Sequence, residues 1–285
     1  MSGIAALVVS TAPVNERIHV YYNTDTKNLG LTMKNGDKDG EDPSKSFASS
    51  ADDQKVIIPN PSQIGASHLL GMNLVVGIAN QAACGATKND VAIISPVYKP
   101  LGSTEAYNLV VSICSSDTAK EAWVYYLTGP DANSIKFHEY SLYDFSTEQR
   151  AGNDNILKGS SLAAYYNTDD EKRYVIHQGR NPQDLYEICI DDRSTTRIES
   201  TDNALKSTPL AVVFHEKTAY LYYLNSGNKI ERIKNTGSEW GSPHSLDKEA
   251  DSAHQLSAVW LDGIPHLFYV SPSGLSHIRD KKASK

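Results

Sequence analysis

The chain has 285 residues, 40% of them apolar and 21% charged, with a formal net charge of −7. That much apolar material excludes disorder as the main state, and the acidic balance with scattered Lys and Arg excludes a nucleic-acid surface, which needs a basic stripe. The longest apolar stretches, such as residues 74–79, are strand-sized rather than membrane-spanning.

In chain order, the first predicted element is Ile4-Ala5-Ala6-Leu7-Val8, followed by His19-Val20-Tyr21-Tyr22. Residues Met1 to Leu7 lack a basic segment and the chain turns polar by Thr11, so no secretory leader is predicted and a cytoplasmic location is expected. Residues 34–53, rich in Gly, Asp, Ser and Lys, predict a long solvated loop. Residues 54–108 offer one clear inner strand, Leu74-Val75-Val76-Gly77-Ile78, so an irregular unit is expected there.

From residue 109 the pattern is regular. Leu109-Val110-Val111-Ser112-Ile113, Leu162-Ala163-Ala164-Tyr165-Tyr166, Leu210-Ala211-Val212-Val213-Phe214 and Leu256-Ser257-Ala258-Val259-Trp260 start roughly 50 residues apart. Each is followed by an aromatic second strand: Trp123-Val124-Tyr125-Tyr126, Tyr174-Val175-Ile176-His177, Tyr220-Leu221-Tyr222-Tyr223 and His266-Leu267-Phe268-Tyr269. Third strands follow polar turns, as in Phe137-His138-Glu139-Tyr140, Leu185-Tyr186-Glu187-Ile188, Ile230-Glu231-Arg232-Ile233 and Leu275-Ser276-His277-Ile278. Residues 279–285 read as a charged tail, which leaves the last unit without a fourth strand.

Strand after strand at this period predicts an all-β, six-bladed β-propeller, one domain over residues 1–285 with about 47 residues per blade. Innermost strands converge on an axis where room is scarce, and their second and third positions are Ala, Val or Ser. The fifth position is large and apolar (Val8, Ile78, Ile113, Tyr166, Phe214, Trp260), as needed to fill a wedge between blades. Ring closure is expected to borrow a strand from elsewhere, because an open ring leaves edges. Tyrosine (16) outnumbers phenylalanine (5) about threefold. Most tyrosines fall in these inner and second strands, as wedge residues with a polar tip.

Motifs for common chemistries are absent. Cys84, Cys114 and Cys189 are odd in number and widely spaced, which predicts three reduced thiols rather than a disulfide framework or zinc knuckle. Asp37-Lys38-Asp39-Gly40-Glu41-Asp42 lacks the spacing of a calcium loop. Nine histidines without a His-x-His or i, i+4 pair predict no metal site, and no dinucleotide or phosphate fingerprint predicts a cofactor. Candidate functional residues therefore come from the repeat, at the ends of inner strands: Ser112, Cys114, Tyr165, Asn167, His215 and Trp260. Together they predict a pocket with apolar walls and a few polar groups, the usual form of a small-molecule site.

The repeat of inner strand, aromatic second strand and aliphatic-x-Glu third strand resembles the six-bladed propeller of fungal fucose-specific lectins, most closely over residues 162–192. That resemblance implies inter-blade sugar sites, each built from an Arg before the second strand's aromatic pair, a Glu in the third strand and a Trp. Here the Arg position holds His19, Trp123, Tyr174, Tyr220 and His266, with Arg173 one residue off. The Glu survives as Glu139 and Glu187, and Trp240 is the tryptophan of a fourth-strand stretch.

In size and in having a lectin-like repeat whose sugar residues are replaced, the chain also resembles the fungal intermolecular hetero-Diels–Alderases of tropolone-sesquiterpene meroterpenoid biosynthesis. This second resemblance implies a cofactor-independent pericyclase joining a tropolone ortho-quinone methide to a humulene-type alkene. It implies two small-molecule substrates, an apolar terpene and a polar tropolone, with no nucleic acid or membrane partner and a homodimer left open. On this expectation His215 is the acid–base group, and Tyr165 and Asn167 are donors to the heterodiene carbonyl. Trp260 and Phe214 are walls, Ser112, Cys114 and Tyr166 line the pocket, and His177 and Arg173 are reserves. The alternatives are a fucose-type lectin with degenerate inter-blade sites and a scaffold propeller that binds a protein segment.

Overall fold

The computed structural model describes residues 3–48, 58–59, 61–80, 88–105, 107–150, 155–237 and 239–283. Blade one comprises β1 (Ile4–Val8), β2 (Ile18–Asn23), β3 (Leu29–Lys34) and β4 (Lys45–Ala48). Blade two comprises β5 (Ile64–Leu69), β6 (Met72–Asn80), β7 (Lys88–Ser95) and β8 (Lys99–Glu105). Blade three follows with β9 (Val111–Ser116), β10 (Glu121–Thr128), β11 (Lys136–Ser141) and β12 (Thr147–Arg150). Blade four has β13 (Ala163–Asn167), β14 (Lys172–Gln178), β15 (Leu185–Cys189) and β16 (Ser194–Ile198). Blade five has β17 (Leu210–His215), β18 (Thr218–Leu224), β19 (Lys229–Asn235) and β20 (His244–Glu249), and blade six has β21 (Ser257–Leu261), β22 (Ile264–Ser271) and β23 (Gly274–Arg279).

Every blade is an antiparallel meander, and the strands pair in sequence order. The inner strands β1, β5, β9, β13, β17 and β21 each pack on the next, and β21 returns to β1, so the ring closes as a six-bladed β-propeller. Small residues make the convergence feasible. Ala5, Ala6, Gly65, Ala66, Ser112 and Ala164 are among those facing a narrow axial space of about 80 Å³.

Among the described residues the core is not one body but six, each an apolar cluster between neighbouring blades. Val76, Ile78, Ile113 and Tyr126 join blades two and three, whereas Trp123, Tyr125, Leu162 and Ile188 join three and four. Tyr165, Ile176, Leu221 and Tyr223 join four and five. Tyr222, Leu256 and Leu267 join five and six, while Ile18 and Phe268 join six and one and Tyr21 and Ile64 join one and two. The tyrosine excess is thereby explained: Tyr125, Tyr222 and Tyr223 are fully buried wedge residues.

Three expectations change in detail. The second blade is a complete four-stranded sheet; its inner strand is β5, and residues 74–78 belong to the second strand, β6. The region expected as a solvated loop contains β4, paired with β3. Blade six keeps three strands, and no strand is borrowed for closure among the described residues. Instead the loop after β3 lies along β23, with Gly40 N–H donating to His277 O (3.0 Å) and Arg279 N–H to Asp39 Oδ1 (2.9 Å). The tail begins buried, since Asp280 and Ala283 are 4% and 2% exposed. No described helix is long and apolar enough to cross a membrane.

Candidate functional site between blades four and five

On β13, Tyr165 and Tyr166 point to opposite sides, as alternate residues of a strand must. Tyr165 faces blade five, stacking on Tyr174 of β14 (centroids 5.1 Å apart) and on Phe214 of β17 (5.8 Å). Its hydroxyl donates to Glu187 Oε1 on β15 at 2.7 Å. The second oxygen, Oε2, accepts from the indole Nε1 of Trp240 at 3.2 Å. Trp240 comes from blade five; it is held by a bridge to Asn235, and Gly241 N–H donates to Lys234 O. One carboxylate thus collects donors from two blades.

Beside it opens a space of about 190 Å³, bounded by Tyr165, Asn167, Tyr174, Glu187, Phe214 and Lys217, with Asp170 and Asp192 at its margin. Glu187 is 7% exposed. Burial pushes its carboxyl above the ordinary range and the charge of Asp170 adds to this, while the Tyr165 and Trp240 donors pull the other way. The Tyr165 hydroxyl is pushed far up by burial and by Glu187, so it stays protonated and donates to that carboxylate. Tyr174, raised by burial, donates to Asp170 Oδ2 at 2.6 Å. A buried carboxyl with raised proton affinity, next to a cavity, is placed to exchange a proton with a bound ligand.

The ten sequence-selected residues divide among five places. Tyr165, Asn167 and Phe214 converge on this pocket. Cys114, Tyr166 and Arg173 belong to the interface of blades three and four. There Tyr166 stacks on Trp123 (5.7 Å), and Arg173 lies over the Trp123 ring (4.9 Å). The guanidinium binds Glu139 Oε1 at 2.9 Å and also Asp191. Arg, Glu and Trp therefore do assemble there, but the arginine is neutralised by two carboxylates. Burial pushes the Cys114 thiol up to about 12, so it is inert; Cys189 is also a free thiol, and Cys84 lies outside the described residues.

His215 and Trp260 stack on one another (4.2 Å) at the interface of blades five and six. His215 follows Phe214 on β17 and so faces away from Tyr165. Ser112 sits on the axis and accepts from Ala164 N–H at 3.0 Å. His177 is 2% exposed and pushed down to about 4 by burial; its Nδ1 contacts Gln178 O and its ring stacks on Tyr186. Of the residues the candidate set omitted, Glu187 and Trp240 carried a signal through the lectin pattern. Tyr174 stood at the lectin pattern's Arg position without being selected, and Asp170 and Lys217 carried no signal, because only the meeting of two blades brings them to the cavity.

No protein-family model and no curated protein sequence matches the chain. Among solved structures, it is similar to a point mutant of the Aleuria aurantia lectin in complex with Fucα1-6GlcNAc, with 14% identity over 98% of this chain and 91% of that one and a TM-score of 0.70. It is similar to the SapL1 lectin in complex with α-methyl fucoside at 14% identity, covering 99% and 93% of the two chains, with a TM-score of 0.68. AofleA from Arthrobotrys oligospora aligns at 11% identity over 98% and 83%, with a TM-score of 0.62. At these identities the likeness is one of fold: the chain shares the six-bladed propeller described for the Aleuria lectin.

Proposed function

We propose that the chain is a cofactor-independent hetero-Diels–Alderase and that the pocket between blades four and five is its site. In this reading a hydroxymethyl tropolone loses water to an ortho-quinone methide, which adds to a humulene-type alkene to close a dihydropyran ring; an intracellular setting belongs to the same proposal. The observation that supports it is Glu187, a buried carboxyl of raised proton affinity beside a cavity walled by Phe214 and Tyr174. Protonated Glu187 gives its proton to the departing hydroxyl, which leaves as water. The resulting carboxylate takes the ring hydroxyl's proton and is restored. The cycloaddition then forms one C–C and one C–O bond without proton transfer. Asn167 donates to the heterodiene carbonyl, Tyr165 holds the Glu187 carboxyl in place through its hydroxyl, and keeping the partners together supplies the rest. His215 leaves the acid–base role because it faces the neighbouring interface.

A second reading, a fucose-type lectin, is supported by the polar groups around this cavity and by the fold. A carboxylate, an indole and Lys217 suit a sugar ring, although Arg173, the candidate for the lectin arginine, is engaged by Glu139 and Asp191. The deciding assay supplies tropolone carbinol and humulene and follows enantiomeric product by chiral chromatography. We expect Glu187→Gln to slow product formation by about 100-fold or more, Tyr165→Phe to slow it less, and His215→Ala to leave it unchanged. Retention on a fucose column, released by free fucose, would overturn the enzyme reading in favour of the lectin. Loss of activity in His215→Ala but not in Glu187→Gln would return the acid–base role to His215.

A further inference from the structure

The inner strands run from one face of the ring to the other, so the lead-in loops and the inner hairpin turns mark opposite mouths of the axis. The inter-blade pocket uses the turn side, through Asn167, Asp170 and Lys217. On the lead-in side, the segments before β5, β9, β13, β17 and β21 meet around a bowl of about 210 Å³. Its walls are Pro61, Leu109, Val110 and Pro209, with Tyr107 and His254 at the rim. No Asp, Glu, Lys or Arg is among the described residues that line it.

The floor is formed by two glutamines whose amides are already used. Gln63 Nε2 donates to Leu162 O and its Oε1 accepts from Leu162 N–H, which ties blade two to blade four. Gln255 Oε1 accepts from Ile4 and Ile64 N–H while its Nε2 donates to Ile64 O, which ties blade six to blades one and two. The floor therefore asks for no ion or strong donor. Three hydroxyls around the bowl, those of Ser161, Ser207 and Ser252, are not engaged by any described side chain or backbone group.

We propose that this bowl is a second binding site, for a compact uncharged hydrocarbon ring system bearing one or two oxygen functions. Apolar walls favour the hydrocarbon body, and the free hydroxyls orient a ketone or alcohol. Ionised ligands are disfavoured because no Asp, Glu, Lys or Arg among the described lining residues compensates their desolvation. The site is independent of the chemistry assigned to Glu187.

Camphor is a suitable probe, a neutral bicyclic ketone, observed by saturation-transfer NMR on the full chain. We expect transfer to camphor in the parent protein, reduced about tenfold in Ala253→Trp and in Ser161→Trp, which fill the bowl from different blades, and unchanged in Glu187→Gln. Circular dichroism of each variant confirms the fold before its spectrum is used. Absence of transfer in the parent, or transfer that survives both tryptophan variants, overturns the proposal. So does transfer lost in Glu187→Gln, which would put camphor in the inter-blade pocket.

Discussion

One position of the third strand separates structural from chemical roles. Opposite Tyr125, Ile176, Tyr222 and Phe268 stand Glu139, Glu187, Arg232 and His277. Each sits in its inter-blade wedge, and each finds a different partner. Glu139 is paired with Arg173, Arg232 with Asp280 at 2.7 Å, and His277 with His266. Glu187 instead receives two neutral donors and borders a cavity, so of the four it is the one placed to meet a ligand. The Arg232–Asp280 pair is buried at 6% and 4% exposure, and Tyr222 O–H also donates to Asp280. Asp280→Ala leaves a buried guanidinium without its counter-ion, and we expect a loss of about 3–5 kcal/mol in urea unfolding. Replacing both by well-packed apolar residues, as in Arg232→Met with Asp280→Leu, should recover most of that loss; equal loss in both variants would refute the account.

At the scale of elements, the inner hairpins show where the pocket costs stability. Blades two and six turn from inner to second strand through Leu70-Gly71 and Asp262-Gly263, with left-handed φ at both positions. Blade five makes the same two-residue turn with Glu216 (φ 43°) and Lys217 (φ 67°), and Lys217 lines the pocket. Such a turn favours glycine at its second position. We expect Lys217→Gly to stabilise the fold by about 1 kcal/mol, seen as a higher Tm, while weakening ligand binding in the pocket. A lower Tm would show that the lysine's contacts outweigh its backbone strain. Elements were also where the sequence misled. β5 contains Gly65, Ser67 and His68 and looks weak beside β6, whose nine residues carry an unbroken apolar centre. Local hydrophobicity therefore marked the second strand as the inner one. The axial packing of Gly65 and Ala66 shows why the true inner strand is lean.

Across the whole molecule, closure between blades six and one brings two buried imidazoles together. His266 Nδ1 and His277 Nε2 lie 3.0 Å apart, the rings stack, and exposures are 1% and 2%. Phe268 stacks on His277, and Gly36 of the covering loop comes so close to His266 that a Cβ there would lie 2.9 Å from its ring. Buried Lys34, at the end of β3, donates to the Glu41 carbonyl of that loop, and Glu41 Oε1 accepts from Gly36 N–H. Burial pushes His266 down to about 4, helped by Arg279 and opposed by the Leu261 backbone and by Asp262 and Asp39. His277 falls to about 3 through burial, then through His266, Lys34 and Arg279, with Asp39 opposing. Both imidazoles stay neutral in the fold at pH values where the unfolded chain protonates them. Their contribution is therefore complete above the ordinary value of 6.5 and is lost as pH falls toward 4 and 3. We expect the urea midpoint to fall between about pH 7.5 and 4.5, and to fall less in a His266→Phe, His277→Phe variant. An equal fall in both proteins would place the acid sensitivity elsewhere.

What the sequence determined by itself was the unit: an inner strand small where it meets the axis, a second strand heavy with aromatic residues, and a third strand after a polar turn, repeated often enough to require a ring. Alternation along a strand and lack of room at the axis are local constraints, and a single unit already shows them. The tertiary structure decided which side of each strand meets which blade. It put Phe214 and Tyr165 together and sent His215 to Trp260. It joined Arg173 to Glu139 across one interface and Trp240 to Glu187 across the next. Those partners lie tens of residues apart and are fixed by packing between blades, which no single repeat encodes. The pocket is a property of two neighbouring blades.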